Sequence, residues 1–247
     1  MQAMADWNLA SDVTLADTDR ELIEHIQRVL EENESAHEND YLFEQILLNT
    51  KILLESFNVP SFHENPNEYS DYRDQCMAKN VQMIEDIEKN RGFSQVVLTG
   101  HNGHLMRGEA VSYGEIPLGQ HLTDIYAENY FVIGTEFFHA DVNIHTASTF
   151  GDDYERKNHY FCSADPIAAQ AKDMENGIFY LDFSKVIDTN SKLYKLIHQE
   201  TDMGIVGEGY SDWMMFSMSY RTRLVQAERF DAVIYVYRAT PIEPLRE

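Results

Sequence analysis

Apolar residues recur at helical spacing through the first third of the chain. Leu22, Ile23, Ile26, Val29 and Leu30 follow the i, i+1, i+4, i+7, i+8 rule, which predicts one amphipathic helix. A second stripe runs through Leu42, Phe43, Ile46, Leu47, Leu53, Leu54 and Phe57 and stops just ahead of Pro60. A third helix is predicted from about Glu68 to Asn90, on the spacing of Tyr72, Cys76, Met77, Val81, Ile84 and Ile87, with Gly92 as its cap. From Phe93 onward the pattern changes to short β-branched and aromatic runs. Strands are expected at Gln95 to Thr99, Tyr130 to Phe138, Val142 to Thr146, Ile178 to Phe183 and Asp231 to Tyr237. Between them, Leu118, Leu122, Ile125 and Tyr126 mark a helix, and Asp165-Pro166 supplies an N-cap and first turn for another that should stop at Asn176-Gly177. Near-continuous apolar runs such as Val-Val-Leu and Ala-Val-Ile-Tyr-Val suit strands buried on both faces. The pattern therefore predicts an α/β domain: a helical region over residues 1–92, then a mostly parallel sheet flanked by helices over residues 93–247.

Charge narrows the partners. Forty-two acidic against 19 basic residues give a formal charge of −23, which repels nucleic-acid phosphates and anionic lipid headgroups alike. Residues 1–92 hold 20 acidic and 7 basic side chains, a composition that solvated helix faces explain. The start of the chain has no basic region followed by an apolar core, and no segment approaches the roughly 18 apolar residues of a membrane span, so a cytoplasmic protein is expected. Cys76 and Cys162 lie far apart without a CxxC spacing and read as free thiols.

The chemistry concentrates where the run Val96-Val97-Leu98-Thr99 enters Gly100-His101-Asn102-Gly103-His104. Ligands of open α/β sheets bind beyond the carboxyl ends of strands, where both imidazoles would fall. Each offers a proton acceptor or a hydrogen-bond donor near neutral pH. Spacing alone leaves catalysis or binding level with simple capping of the strand end. Histidines one helical turn apart could also share a metal, but HNGH lacks the glutamate of HExxH and no third ligand is identifiable. His121, His139 and His145 read as surface or core-edge residues, although His139 ends an expected strand and could line the same cleft. There is no GxSxG, GxGxxG or Walker loop, and Gly209-Tyr210-Ser211-Asp212-Trp213 lacks the final glycine of a nucleophile elbow.

Several motifs together resemble the erythromycin esterase family, which includes proteins labelled as succinoglycan biosynthesis proteins. Tyr72-Arg73-Asp74-Gln75-Cys76-Met77-Ala78-Lys79-Asn80 resembles that family's "RD..MA.N" helix, and HNGH its "HNxH" strand end. Leu118-Gly119-Gln120-His121-Leu122 is similar to its "MG..L" helix, Tyr130 to Gly134 to its "Y..IG" strand, and Phe230-Asp231-Ala232-Val233-Ile234 with Thr240-Pro241 to its "FDA.I…TP" terminus. The resemblance implies a hydrolase that opens a carboxylic ester or macrolide lactone with an activated water, without a required metal or other cofactor. His101 and His104 would then be the catalytic pair, polarising the carbonyl or stabilising its oxyanion. Arg73, Asn80, Asn102 and His139 would be substrate-binding residues, with a buried tie as the other reading of Arg73.

One family segment is missing. The "GE.THG" motif, with its general-base histidine and supporting glutamate, has no counterpart: Gly108-Glu109, Gly114-Glu115 and Gly207-Glu208 are not followed by Thr-His-Gly. The resemblance therefore implies a domain incomplete relative to the family, its partners being a small ester or lactone and either the missing amino-terminal portion or a second copy. The alternative from another class is a non-catalytic remnant that binds a small ligand or a protein through the same cleft.

Overall fold

A computed structural model describes residues 17–243, apart from 39, 62–63, 110–114, 149–150, 208 and 211. The amino-terminal stretch that was read for a leader lies outside the described residues. The helices are α1 (Asp17–Asn33), α2 (Tyr41–Ser56), α3 (Pro66–Asn90), α4 (Asn102–Leu105), α5 (Leu118–Tyr126), α6 (Lys192–Ile197), α7 (Asp212–Ser217) and α8 (Gln226–Arg229). The strands are β1 (Ile133–Ser148), β2 (Gly151–Cys162), β3 (Ile178–Asp182), β4 (Glu200–Gly204), β5 (Gly209–Tyr210), β6 (Arg221–Val225) and β7 (Ala232–Ala239). The chain divides into two compact units, residues 1–99 with 113–121 and residues 100–112 with 122–247.

The first unit holds α1, α2 and α3. Its third helix starts two residues earlier than the apolar pattern indicated, because Asn65 and Glu68 cap it: the Asn65 side chain accepts the Glu68 N–H at 3.3 Å and donates to the Glu68 carboxylate at 2.9 Å, with Pro66 in the first turn. It ends as Gly92 predicts. Gly92 adopts φ +88°, its N–H reaches Lys89 O, and the N–H of Phe93 reaches Glu88 O, the paired bonds of a Schellman motif. Asp71 and Asp74, three residues apart on α3, accept the N–H groups of Ile116 and Leu118 at 2.9 Å each. They satisfy donors at the start of α5 that would otherwise lack a partner. Phe43, Leu47 and Leu48 of α2 and Cys76, Ala78 and Ile87 of α3 are buried. Leu22, Leu42 and Leu53 of the predicted stripes remain exposed.

The second unit contains the sheet, in the order β2-β1-β7-β3, with β5 beside the far end of β1 and β4-β6 as a separate antiparallel pair. The α/β class holds, and the sheet is mixed: β1 runs parallel to β7 and β5, while β2 on β1 and β3 on β7 are antiparallel. The expected strands at 130–138 and 142–146 are one strand, bulged between His145 and Thr146 where it pairs with β2. One sheet face carries the core, with Val132, Val233 and Tyr235 packed among Ile167, Ala168, Ile197, Met203 and Leu224. The Asp165 N-cap is present, its carboxylate accepting the N–H groups of Ile167 and Ala168. The helix that follows is only a 3₁₀ stretch over Ala168–Asp173, and Asn176 and Gly177, both at positive φ, lie inside a second short 3₁₀ segment, Glu175–Gly177.

Gln95 to Thr99 departs most from expectation. This run is extended, but it joins no sheet among the described residues, and every residue in it is exposed, Val97 at 89%. An interior strand needs a ladder on each edge, and the described residues supply neither.

Candidate active-site turn

His101 is the N-cap of α4, and both of its ring nitrogens are engaged. Nδ1 accepts the Gly103 N–H at 3.2 Å, while Nε2 lies 3.1 Å from the carbonyl oxygen of Val206. An acceptor at Nδ1 and a carbonyl at Nε2 are compatible in a neutral ring only when Nε2 carries the proton; that tautomer is assigned from the network. His101 is therefore a donor at Nε2, and its Nδ1 lone pair is spent on the helix cap. His104, three residues on in the same turn, is half-buried.

Asn102 fixes the turn to the sheet. Its side chain donates to Thr135 O at 2.6 Å and accepts the Thr135 N–H at 3.1 Å. A carboxamide thus occupies the place of a neighbouring strand on the edge of β1, before pairing with β2 begins at His139. This role is structural, and the substrate contact expected for Asn102 would compete with it. Met106 is buried just beyond α4, and the Tyr130 hydroxyl donates to Leu105 O at 2.7 Å.

The other expected binding residues have partners of their own or are exposed. His139 lies within β1, paired with Cys162, and does not end a strand. It shares a hydrogen bond of 2.5 Å with the Tyr160 hydroxyl and packs edge-on against Phe138 and Tyr237. Four residues separate it from Thr135, about 13 Å along a strand. Asn80 belongs to the helical unit, where its amide donates to the Glu55 carboxylate of α2 at 3.2 Å. Arg73 is exposed on α3, and the buried polar member of that motif is its neighbour Asp74. One residue turns 100° around a helix, so the arginine and aspartate face different surroundings; the buried-tie reading passes from Arg73 to Asp74. Among the described residues, no three His, Cys, Asp or Glu side chains gather as metal ligands.

Two polar arrangements near the turn were not anticipated. Arg107, just past α4, donates to the Asp231 carboxylate and to Tyr130 O, while the same carboxylate accepts the Val132 N–H at 2.7 Å. The Asp of the FDA motif thus ties the starts of β1 and β7. Burial pushes the Tyr130 phenol up to about 12. The second arrangement is internal. Glu136, 2% exposed, accepts the Gly204 N–H at 3.0 Å and the Phe137 N–H at 3.0 Å. Nearby, fully buried Gln226 donates to Asp165 and Thr201 and accepts from the Tyr235 hydroxyl. Desolvation first, and then the charge of Asp165, hold the Glu136 carboxyl well above the usual carboxylate range. Desolvation also raises Asp165, against three hydrogen bonds that favour its ionised form. A signal for Glu136 existed in the sequence: it alternates with Val132 and Gly134 on one strand face, a carboxylate in an apolar register.

These elements define an α/β protein with a histidine-bearing turn locked to the edge of a mixed sheet. The chain belongs to the erythromycin esterase family, whose model matches residues 1–239. Its fold is similar to that of a Bacillus cereus protein of known crystal structure, with a TM-score of 0.70 at 19% identity over 94% of this chain and 55% of that one. It is also similar to a succinoglycan biosynthesis protein, with a TM-score of 0.69 at 12% identity over 91% and 50% of the respective chains. An H289N mutant of the erythromycin esterase EreC, in its open conformation, aligns with a TM-score of 0.50 at 16% identity over 91% and 52%. The chain therefore spans about half the length of each solved structure. No curated protein matches it. No helix among the described residues is long and apolar enough to cross a membrane.

Proposed function

We propose that the chain forms the histidine-bearing part of a hydrolase that opens a carboxylic ester or lactone by attack of water, with macrolide lactones as the first substrates to test. The observation that supports this most directly is the Nε2–H of exposed His101, already facing a carbonyl oxygen at 3.1 Å. A substrate carbonyl that took the place of Val206 O would receive the same hydrogen bond, which strengthens as negative charge develops on the oxygen. His104 is the remaining imidazole of the turn and would serve in proton transfer. The attacking water still needs a base. The GE.THG histidine is missing from the sequence, so full turnover calls for the portion of the family fold that this chain does not match, in a cytoplasmic setting and with antibiotic resistance as the role to test.

The second reading is a non-catalytic unit that binds a small ligand or a polypeptide. It is favoured by the commitment of both His101 nitrogens to backbone groups. Calorimetry and product analysis with the same ester panel separate the two. A hydrolase releases acid and alcohol, slowly in the isolated chain, and loses that release on His101→Ala; a binding unit shows saturable heat and intact ester.

A further inference from the structure

The carbonyl that holds His101 is itself held from below. Val206 follows β4, whose last residue, Gly204, donates its N–H to Glu136 Oε2 at 3.0 Å; between them, the Ile205 N–H bonds to Tyr220 O at 2.8 Å. The approach of this segment to β1 is close: a Cβ at Gly204 would lie 2.7 Å from Phe137 Cζ and 3.3 Å from Glu136 Oε1. A side chain there would have to displace the Phe137 ring and crowd the Glu136 carboxyl. Two residues after this seat, the Val206 carbonyl meets His101 Nε2.

We propose that Glu136 is a positioning residue for His101: by anchoring Gly204 it fixes the Gly204–Val206 segment, and the Val206 carbonyl in turn keeps the imidazole proton on Nε2 and Nδ1 free to cap α4. At 2% exposure Glu136 does not reach solvent, so its influence passes through this backbone and not through contact with substrate. A glutamate suits the seat because its two oxygens accept two backbone N–H groups, those of Phe137 and Gly204. Glutamine retains one acceptor oxygen, whereas alanine leaves both donors buried without a partner. For ester hydrolysis the consequence is a donor held in one tautomer before substrate arrives; this consequence rests on the proposed function, while the positioning itself does not.

Nitrogen-15 spectra of the histidine rings in the full chain test the positioning, with His101 assigned through His101→Asn. The native protein should give a neutral ring protonated at Nε2. Glu136→Ala should produce a mixture of tautomers and speed exchange of the Nε2 proton by about tenfold, the equivalent of one lost hydrogen bond. Glu136→Gln should recover most of the native signal. Gly204→Ala keeps the Glu136 carboxyl but adds a Cβ that presses on the Phe137 ring and on Glu136 Oε1, and should disturb His101 in the same way. If Glu136→Ala does not fold, Gly204→Ala and Glu136→Gln carry the comparison. A native His101 tautomer and exchange rate in folded Gly204→Ala or Glu136→Ala protein overturns the proposal. Absence of ester turnover leaves these spectra unaffected and bears only on the hydrolase reading.

Discussion

The carboxamide of Asn102 pairs with the backbone of Thr135 as a strand would, donating to its carbonyl at 2.6 Å and accepting its N–H at 3.1 Å. The pair holds the histidine turn against the edge of β1. Asn102→Ala removes both bonds and should cost about 1–2 kcal/mol of stability. Asn102→Asp should be at least as harmful, since a carboxylate can accept from Thr135 N but is repelled by Thr135 O. Urea unfolding followed by circular dichroism measures both. Equal stability of all three proteins would show that the turn is held by other contacts.

The pH dependence of stability follows from Glu136 and Asp165. Both are raised in the folded state, so over the window between their ordinary values, 4.5 and 3.8, and their higher folded values, the native protein binds more protons than the unfolded chain. Stability contributed by the neutral acids is complete below that window and is lost as pH rises through it. Net charge of −23 acts in the same direction by self-repulsion. Glu136→Gln separates the two effects: it should flatten the fall in melting temperature above pH 4.5 and leave the charge effect in place. A fall of unchanged steepness would mean that Glu136 is ionised in the native protein.

The run Gln95 to Thr99 should exchange its amide hydrogens fast. No backbone hydrogen bond protects it among the described residues, and all of its residues are exposed. Hydrogen-exchange mass spectrometry of the chain alone should show these amides exchanged within seconds, while the amides of β7 are retained. Strong protection at 95–99 would instead reveal a paired strand, and dependence of that protection on protein concentration would identify a second copy as the partner.

Local chemistry explains which features could be read in advance. Helical periodicity located α2 and α3, and the Gly92 cap and the Asp165 N-cap lie within a few residues of the groups they serve. Contacts distant in sequence left no such trace. Arg107 meets Asp231 across 124 positions and Glu136 meets Gly204 across 68, and neither partner is implied by its neighbours. β2, polar through Glu155-Arg156-Lys157-Asn158, is a strand because β1 offers it a ladder and not because of an apolar alternation. The converse holds at Gln95 to Thr99, where a strongly strand-forming composition meets no ladder among the described residues. At the turn itself, His101 stood out by its motif, but its cap bond and its Val206 partner did not, since a bond to a residue 105 positions away depends on the folded path of β4.

The most direct test of the central claim, that the HNGH turn is the chemical centre of a family hydrolase, is product formation from macrolide lactones and simple esters by mass spectrometry. Four proteins are compared: the chain alone, the chain fused to the portion of the Bacillus cereus neighbour that it does not match, and that fusion with His101→Ala or His104→Ala. The chain alone should turn over substrate barely above background, and the fusion about 10²- to 10⁴-fold faster, the usual worth of a positioned general base. Each alanine should lower the fusion by about 10²- to 10³-fold, as loss of a transition-state donor does. A folded, active fusion indifferent to both substitutions would contradict the account.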